Sequence, residues 1–531
     1  MPSEIIPQTL QYILDTRSAC ALLDVREHGE YNAAHIPGSS SLPRRLIEFR
    51  LSRLVPCTLV QVVVCDDDER RAWPAARTIE RMGYQRVAVL EGGVNRWASL
   101  GLPTEWGLNV LGKDFGERIQ VQHDVPTIDA AELARRLRSG QPLVVLDVRT
   151  REEYAKASIP GARCAPGGEL GLRIAEIARA QPDATVVLTC AGRPRSILAT
   201  RLLHRMGMRN VVGLRNGISG WALAGFELEK GATRCELPSP GPAALAEATS
   251  FAVRIAQEDG VELITVADLA TRLVRPGGEC HYYVDVRTEQ EYGAGHIPGF
   301  WWVPGGQAIL HADDVVAVRN GTIVFCCDGI VRSTIIASWY RQMGFASVLA
   351  VQGGTEAWVA AGLSLERGLP HEEPPGTPDA GKRWEVLSPA ALQLRIADEQ
   401  PLVIFVDPSN EFAAAHVPGA QWILRTWLDL RIGEMAVDKG RPIVVTDTRG
   451  RSAPLAASTL VDLGYAGVAV LDGGMSAWGS AGLPVERGLA GVMTPPEDVV
   501  PTGADRPYHQ MINYLRWEEA LGRKYLPQRS S

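Results

Sequence analysis

One set of short motifs occurs four times in the same order along the 531-residue chain, and this limits the fold to a tandem repeat. The set begins with Asp-Val-Arg at residues 24–26, 147–149 and 285–287, and a degenerate fourth copy is assigned to Asp407-Pro408-Ser409. A Pro-Gly turn follows each copy, and a Gly-Gly or Asn-Gly pair precedes a tryptophan near its end. The tryptophans are Trp97, Trp221, Trp358 and Trp478. The chain is therefore predicted to contain four copies of one domain.

Changes in composition between the copies predict the domain limits. A proline-rich segment, 238–242, and a helix-like stretch, 243–257, lengthen the interval between the second and third copies, and a second proline-rich segment, 374–378, follows the third. The predicted domains 1 to 4 cover residues 1–106, 107–236, 237–372 and 373–490. The tail, 491–531, contains Pro495-Pro496 and an amphipathic stretch, 510–525, which is expected to dock as a helix on this chain or on a second one.

Helix signals and apolar runs alternate within each domain. Asp129-Ala130-Ala131-Glu132 has the pattern of a helix N-cap, and Leu143-Val144-Val145-Leu146 is apolar throughout, as a parallel strand buried on both faces is. Such alternation is typical of doubly wound sheets, whose sites lie at the C-terminal ends of the strands. The predicted fold class is α/β, with four tandem doubly wound domains, each a central mostly parallel sheet flanked by helices, plus a C-terminal helical tail.

In domains 2 and 3, a cysteine follows an apolar run and opens a loop that leads into a helix. The loops are Cys190-Ala191-Gly192-Arg193-Pro194-Arg195-Ser196 and Cys327-Asp328-Gly329-Ile330-Val331-Arg332-Ser333. Backbone N–H groups that point into such a loop, together with the helix dipole, create positive potential. Each thiol is therefore expected to ionise more readily than a free cysteine and to act as a nucleophile.

The ordered set of Asp-Val-Arg, His-Ile-Pro-Gly, Cys-x4-Arg-Ser and Gly-Gly-x-x-x-Trp resembles the rhodanese family of thiosulfate sulfurtransferases, over residues 1–490. The resemblance implies four rhodanese-like domains that move a sulfane sulfur from thiosulfate, or a related donor, through a cysteine persulfide to cyanide or a thiol. It implies catalytic roles for Cys190 and Cys327, and it implies that Arg195 and Arg332 pair with the anionic donor. The other implied substrate-binding residues are Arg193, Gly192, Gly329, Ser196 and Ser333.

The loops of domains 1 and 4 lack a cysteine at the matching position. Counting back from the glycine that ends the next helix places Asp66 and Asp447 there, and a carboxylate cannot form a persulfide. Domains 1 and 4 are therefore expected to be inactive packing partners that shape and cover the active domains. A shift of one residue would instead make Cys65 the start of a Cys-x4-Arg loop that ends at Arg70, and this alternative stays open at this point.

The two cysteine loops differ in charge. Cys190 has two arginines nearby, Arg193 and Arg195, whereas Cys327 is followed by Asp328. Cys190 is therefore predicted to be the main acceptor of sulfur from thiosulfate, and Cys327 to react more slowly or with another donor. Direct relay of sulfur between these two cysteines and a resolving role for Cys164 are left open.

Two other functions are compatible with the loops. Cys326 and Arg332 have the Cys-x5-Arg spacing that cysteine-dependent phosphatases and arsenate reductases use. A non-catalytic sulfur carrier or scaffold would use the tandem domains to bind partners. Sulfur uptake from thiosulfate separates the proposed enzyme from the scaffold, and turnover of an aryl phosphate would indicate a phosphatase.

Composition excludes several classes of function. The net charge of −7 and the pI near 5.9 argue against binding to nucleic acid or anionic membranes, and no apolar run approaches the roughly 18 residues that span a bilayer. The nine cysteines show neither a disulfide framework nor a metal-ligand pattern, so no metal and no cofactor are expected, in a cytoplasmic protein. The expected partners are a small anionic sulfur donor and a thiol or cyanide acceptor, and a homodimer through the tail is left open.

Overall fold

The computed structural model of the protein describes residues 1–274, 279–369, 383–492 and 496–526. The described residues form four five-stranded sheets, in which every strand pairing is parallel. The strand order, counted along the chain within each domain, is first, fifth, fourth, second and third in all four sheets. The predicted α/β class and the fourfold repeat are confirmed. The proline-rich segment 374–378 and Pro495 lie outside the described residues.

Domains 1 and 2 contain the first ten strands and the first eleven helices. The strands of domain 1 are β1 (Ser3–Ile5), β2 (Cys20–Asp24), β3 (Ser40–Ser41), β4 (Gln61–Cys65) and β5 (Arg86–Leu90). Its helices are α1 (Pro7–Asp15), α2 (His28–Ala33), α3 (Ile47–Leu54), α4 (Ala72–Arg81) and α5 (Gly93–Ser99). The strands of domain 2 are β6 (Thr127–Ile128), β7 (Leu143–Asp147), β8 (Arg163–Cys164), β9 (Thr185–Thr189) and β10 (Val211–Leu214). Its helices are α6 (Val110–His123), α7 (Ala130–Arg138), α8 (Arg151–Lys156), α9 (Gly167–Ala180), α10 (Pro194–Arg205) and α11 (Gly217–Leu223).

Domains 3 and 4 and the tail contain the remaining elements. The strands of domain 3 are β11 (Glu262–Ile264), β12 (His281–Asp285), β13 (Trp301–Trp302), β14 (Thr322–Cys326) and β15 (Ser347–Val351). Its helices are α12 (Pro242–Asp259), α13 (Val266–Val274), α14 (Glu289–Ala294), α15 (Gly305–Leu310), α16 (Ala312–Val315), α17 (Val331–Met343) and α18 (Gly354–Ala360). The strands of domain 4 are β16 (Glu385–Leu387), β17 (Leu402–Phe405), β18 (Gln421–Trp422), β19 (Ile443–Thr446) and β20 (Val468–Leu471). The last helices are α19 (Pro389–Glu399), α20 (Ser409–Ala414), α21 (Leu428–Met435), α22 (Ser452–Asp462), α23 (Gly474–Ser480) and, in the tail, α24 (Tyr508–Arg523).

The fourth strand of each domain lies in the middle of its sheet and ends at the loop of interest. β4, β9, β14 and β19 consist mainly of β-branched and other apolar residues, and almost all of their residues are buried. Such residues favour a strand that is covered on both faces. The loops therefore leave the sheets at their C-terminal edge, where doubly wound folds place their sites.

The backbone register corrects the fourth copy of Asp-Val-Arg. In domains 1 to 3 the N–H of the motif's valine donates to the carbonyl of the last residue of the middle strand, and the donors are Val25, Val148 and Val286. In domain 4 the N–H of Val406 donates to Thr446. The fourth copy is therefore Phe405-Val406-Asp407, and its assignment to Asp407-Pro408-Ser409 is wrong by two residues. Phe405 packs against Phe412 at a ring distance of 5.6 Å, so an apolar contact replaces the polar motif.

The described residues divide into two compact units, one with domains 1 and 4 and the other with domains 2 and 3 and the end of the tail. In the first unit, Arg44 binds Asp429 through two hydrogen bonds of 2.6 and 2.7 Å, and Arg425 binds Glu48 in the same way. Domains 1 and 4 are thus packing partners of each other.

In the second unit, the predicted helix before domain 3 is α12, which packs on α17 and α9. The tail helix α24 packs on α6 of domain 2, where it buries Met511 and Leu515. Docking of the tail on this chain is confirmed, whereas a homodimer through the tail stays a prediction. Among the described helices, none combines the length and the hydropathy that crossing a bilayer requires.

Candidate active site

Cys190 lies at the start of the loop between β9 and α10, with 1% of its surface exposed. Its sulfur is 3.4 Å from Ser196 Oγ, and its carbonyl accepts a hydrogen bond of 2.8 Å from the N–H of Ile218. Gly217 adopts a φ of 49°, and a Cβ there would lie 2.2 Å from the Cys190 carbonyl oxygen. The Asn-Gly motif is therefore required because α11 approaches the loop too closely for any side chain.

Cys327 has the same setting between β14 and α17. Its sulfur is 3.2 Å from Ser333 Oγ, and its carbonyl accepts a hydrogen bond of 2.9 Å from the N–H of Thr355. A Cβ on Gly354 would lie 2.2 Å from the Cys327 carbonyl oxygen, so the glycine pair has the same role here. Cys327 is fully buried.

The arginine that ends each cysteine loop binds a glutamate of its own domain. Arg195 donates two hydrogen bonds to Glu153, at 2.7 and 2.8 Å, and Arg332 donates two to Glu291, at 2.8 and 2.7 Å. Burial raises the pKa of Glu153, but the hydrogen bonds and charge of Arg195 outweigh it and hold the pKa at about 2. Each arginine therefore ties its loop to the helix that carries the glutamate, α8 or α14.

The two arginines differ in how fully their charge is balanced. Arg332 also binds Glu169 at 2.9 Å and Asp328 at 3.0 Å, so three carboxylates surround it. Glu169 is the third residue of α9, and the third residue of the matching helix α15 is the neutral Gln307. Among the described residues, Arg195 has an ion pair with Glu153 alone. The loop of Cys190 thus retains more positive charge at this position.

Burial raises the pKa of both loop thiols. It raises the pKa of Cys327 to about 11, with a further contribution from Asp328 and opposition from Arg332. It also raises the pKa of Cys190, against the opposing effects of Arg195 and of hydrogen bonds from Ser196. The expectation that the loop alone makes these thiols ionise readily is therefore wrong, because the loss of solvent outweighs the loop dipoles.

Neutralising Asp328 is expected to make Cys327 more acidic. In Asp328→Asn, the pKa of Cys327 should fall from about 11, because one negative charge beside the thiolate is removed. The thiolate absorbance in the ultraviolet, followed as a function of pH, measures this shift. The same substitution in Cys327→Ser shows which part of the signal belongs to Cys327, and an unchanged midpoint would contradict the prediction.

Two further predicted site residues lie under the tail helix. Arg193 binds Glu117 on α6 through two hydrogen bonds of 2.7 and 2.8 Å, and it binds Glu519 on α24 at 3.2 Å. A Cβ on Gly192 would lie 2.7 Å from Glu518 Oε2. At the matching Gly329, a Cβ would meet no described atom within 4 Å. The tail therefore covers the Cys190 loop, a contact that the sequence did not reveal.

The loops of domains 1 and 4 align with the cysteine loops without a gap. In each domain, the N–H of the second residue of the helix after the glycine pair donates to the carbonyl at the nucleophile position. The donors are Val94, Ile218, Thr355 and Met475, and the acceptors are Asp66, Cys190, Cys327 and Asp447, respectively. Counting therefore placed Asp66 and Asp447 correctly.

The carboxylates of Asp66 and Asp447 show that backbone N–H groups of these loops bind a negatively charged group at the nucleophile position. The Asp447 carboxylate accepts hydrogen bonds from the N–H groups of the third, fifth and sixth following residues, which are Gly450, Ser452 and Ala453, at 2.5 to 2.8 Å. The Asp66 carboxylate accepts from the matching residues of domain 1, Glu69, Arg71 and Ala72. In the cysteine loops, the sixth N–H, of Ser196 or Ser333, reaches the sulfur. The loops of domains 1 and 4 are thus cradles of N–H groups for a carboxylate, and in the cysteine loops the sixth N–H of the matching cradle reaches the sulfur.

Cys65 and Cys326 are strand residues that face apolar cores. Both are fully buried at the ends of β4 and β14, and burial raises the pKa of each well above its usual value. Arg70 is exposed and binds Asp68. The alternative loop that starts at Cys65 is therefore wrong, and the Cys-x5-Arg spacing from Cys326 does not correspond to a loop.

The remaining repeated motifs are structural. Arg149 braces the end of β7 by donating hydrogen bonds of 2.9 and 2.7 Å to Asp147. The histidines of the Pro-Gly turns stack on an aromatic ring and bond to its backbone carbonyl, and they are His35, His296 and His416. The four repeat tryptophans are buried, and each indole N–H donates to a backbone carbonyl.

Known protein families, solved structures and curated proteins all contain relatives of this chain. The family model described as Rhodanese-like domain matches residues 7–100, 129–224, 266–361 and 388–481. A crystal structure of a thiosulfate sulfurtransferase from Pseudomonas aeruginosa is similar to this chain, with a TM-score of 0.90 and 34% identity over 98% of this chain and 97% of that one. A sulfurtransferase from Allochromatium vinosum is 34% identical over 104 residues, which are 20% of this chain and 94% of that protein.

Proposed function

The chain belongs to the rhodanese-like family of sulfurtransferases, and from that premise we propose that it takes sulfur from thiosulfate and passes it to cyanide or a thiol. Cys190 of domain 2, residues 107–236, is the main acceptor. Cys327 of domain 3, residues 237–372, reacts more slowly. The Pseudomonas aeruginosa protein that is similar over nearly the whole chain is a thiosulfate sulfurtransferase, which supports thiosulfate as the donor.

The observation that carries the proposal is that the N–H of the sixth following residue binds the atom at the nucleophile position in all four loops. In domains 1 and 4 the cradle holds the loop's own carboxylate, and in domains 2 and 3 a cysteine sulfur takes that place. A persulfide extends the cysteine by one sulfur atom and carries a negative charge, which such N–H groups stabilise. Only the cysteine loops combine this stabilisation with a nucleophile.

The reaction has two steps. The Cys190 thiolate attacks the outer sulfur of thiosulfate, the bond between the two thiosulfate sulfurs breaks, and sulfite leaves with the electron pair. The acceptor, cyanide or a thiolate, then attacks the terminal persulfide sulfur, and Cys190 leaves as a thiolate. Arg195 holds the loop in shape through Glu153, and its positive charge favours the anionic states. Asp328 and the balanced Arg332 give Cys327 less of this support.

Purified full-length protein is the test of this function. After incubation with thiosulfate, intact mass should increase by one sulfur atom for each reactive cysteine, and cyanide should remove this sulfur as thiocyanate. An aryl phosphate, which the structure gives no loop to process, serves as the negative control. A protein that gains no sulfur would instead be a carrier or scaffold.

A further inference from the structure

The tail helix α24 places a carboxyl group against the loop of the proposed nucleophile. Glu518 has 1% of its surface exposed, and its Oε2 lies beside Gly192, as the 2.7 Å distance to a Cβ there shows. Leu515, one turn earlier, lies beside the same glycine, with its Cδ2 at 3.5 Å from that Cβ position. Any side chain at residue 192 would therefore push the Glu518 carboxyl group away from the loop, so Gly192 permits this contact.

One oxygen of this carboxyl group has no partner. Oε1 accepts a hydrogen bond of 2.6 Å from the Tyr514 hydroxyl, whereas the buried Oε2 has no hydrogen-bond partner among the described residues. An orphaned carboxylate oxygen in a buried position costs stability and marks a candidate functional group. Oε2 lies beside Gly192, so the oxygen without a hydrogen-bond partner is next to the loop that Cys190 opens.

The surroundings of Glu518 place its pKa near neutral pH, so its ionised and neutral forms are both populated there. Burial raises its pKa to about 7, against the effects of Lys113, Tyr514 and Arg193, and Glu117 adds to the rise. The charged and titratable groups that face it are Lys113 and Glu117 on α6, Cys190 and Arg193 in the loop, and Tyr514 on α24. The ionised carboxylate in turn raises the pKa of Cys190.

We propose that Glu518 determines the charge of the sulfur donor that the Cys190 loop accepts. When ionised, Glu518 disfavours a dianionic donor and the attacking thiolate alike, and when neutral it admits both. This specificity role rests on the proposed function of Cys190. The Cys327 loop is not subject to it, because its carboxylate, Asp328, belongs to the loop itself and no described atom of another helix lies within 4 Å of a Cβ on Gly329.

Donor charge provides a direct test, in full-length Cys327→Ser protein so that Cys190 acts alone. Coulomb energy scales with the charge of the donor, so the fold-change for a dianion should be about the square of that for a monoanion. Above neutral pH, Glu518→Gln should lower the KM for thiosulfate about tenfold and that for an aryl thiosulfonate, which carries one charge, about threefold.

The pH dependence gives a second readout. In the parent protein, the KM for thiosulfate should rise between about pH 6 and pH 8 as Glu518 ionises, and in Glu518→Gln this rise should be absent. Tyr514→Phe removes a hydrogen bond that lowers the pKa of Glu518, so the midpoint of the rise should move to higher pH. Glu247→Gln, which removes an exposed charge paired with Arg179 on the same unit, should change neither donor's KM.

The outcomes separate the two proposals. Equal fold-changes for the two donors, or a pH-dependent KM that persists in Glu518→Gln, would overturn the role of Glu518 alone. Absence of sulfur uptake by Cys190 from both donors would overturn the proposed function and this role together. Hydrogen exchange of α24 is the control for structural damage. If exchange in Glu518→Gln equals that of the parent, the change in KM comes from charge. Faster exchange of α24, together with the same fold-change for both donors, would overturn the role of Glu518.

Discussion

Replacing Cys190 with serine is expected to reduce thiosulfate-dependent thiocyanate formation to about a tenth or less, because the loop of Cys327 has less positive charge to favour an anionic donor. Burial raises the pKa of both thiols, but Asp328 raises that of Cys327 further and three carboxylates balance the charge of Arg332. Cys327→Ser should therefore retain most of the turnover. The double substitution should abolish it, because a serine hydroxyl cannot carry a sulfane sulfur.

Matched controls are available in the same chain. Cys65→Ser and Cys326→Ser remove thiols that are fully buried at the ends of strands, so both should keep the kinetics of the parent if they fold. Intact mass and thiocyanate formation are measured for all five proteins. Full activity in the double variant would contradict the assignment and would point to another of the nine cysteines.

The fold could be predicted because its signals are local and repeated. Runs such as Thr185-Val186-Val187-Leu188-Thr189 identify buried strands by composition alone, and the repeat places each run in the same position of its sheet. The distance from loop to helix-ending glycine is the length of one helix, so counting along it located Asp66 and Asp447. The fourth Asp-Val-Arg copy was misplaced because Asp407 resembles the motif in letters, while the register follows Phe405.

The environment of the site could not be predicted in the same way. The ionisation of Cys190 depends on burial by α24, a helix more than 300 residues away along the chain, and no local pattern specifies where that helix docks. The partner of Arg195 did have a signal, since Glu153 is the N3 residue of a capping box that starts at Thr150. Glu153 therefore has two roles, since it caps α8 and also binds the loop arginine. The sequence pattern predicts only the capping role.

The four loops leave their sheets at the same position, although two carry a cysteine nucleophile and two carry an aspartate. The N–H of the sixth following residue binds a carboxylate in domain 4 and a sulfur in domain 2, so this part of the loop exists independently of catalysis. What distinguishes an active loop is the nucleophile, because an arginine also ties the loop to a glutamate in the inactive domain 1, where Arg71 binds Glu30. The arginine–glutamate tie is therefore a structural feature, and in domain 3 it leads to a strong prediction about stability.

Arg332→Ala is expected to destabilise domain 3 by about 3 kcal/mol at neutral pH, because it leaves the buried Glu169 and two partly exposed carboxylates without their cation. Arg332 has no exposed surface and binds Glu291, Glu169 and Asp328. The midpoint of chemical denaturation and the hydrogen exchange of α17 measure the loss. Arg195→Ala should cost less, because it removes the ion pair of a single carboxylate, Glu153. Glu169→Gln should partly restore the stability of Arg332→Ala.

The loss should depend on pH in a defined direction. Burial raises the pKa of Glu291, but Arg332 outweighs it and holds the pKa at about 2, below the usual 4.5, so the native state binds fewer protons than the unfolded chain between these values. This stabilisation is fully present above pH 4.5 and is lost as the pH falls through 2. The difference in stability between the parent and Arg332→Ala should therefore shrink across this acid range. A difference that stays constant from neutral pH to pH 3, or an Arg195→Ala variant as unstable as Arg332→Ala, would show that the carboxylate cluster is not what Arg332 stabilises.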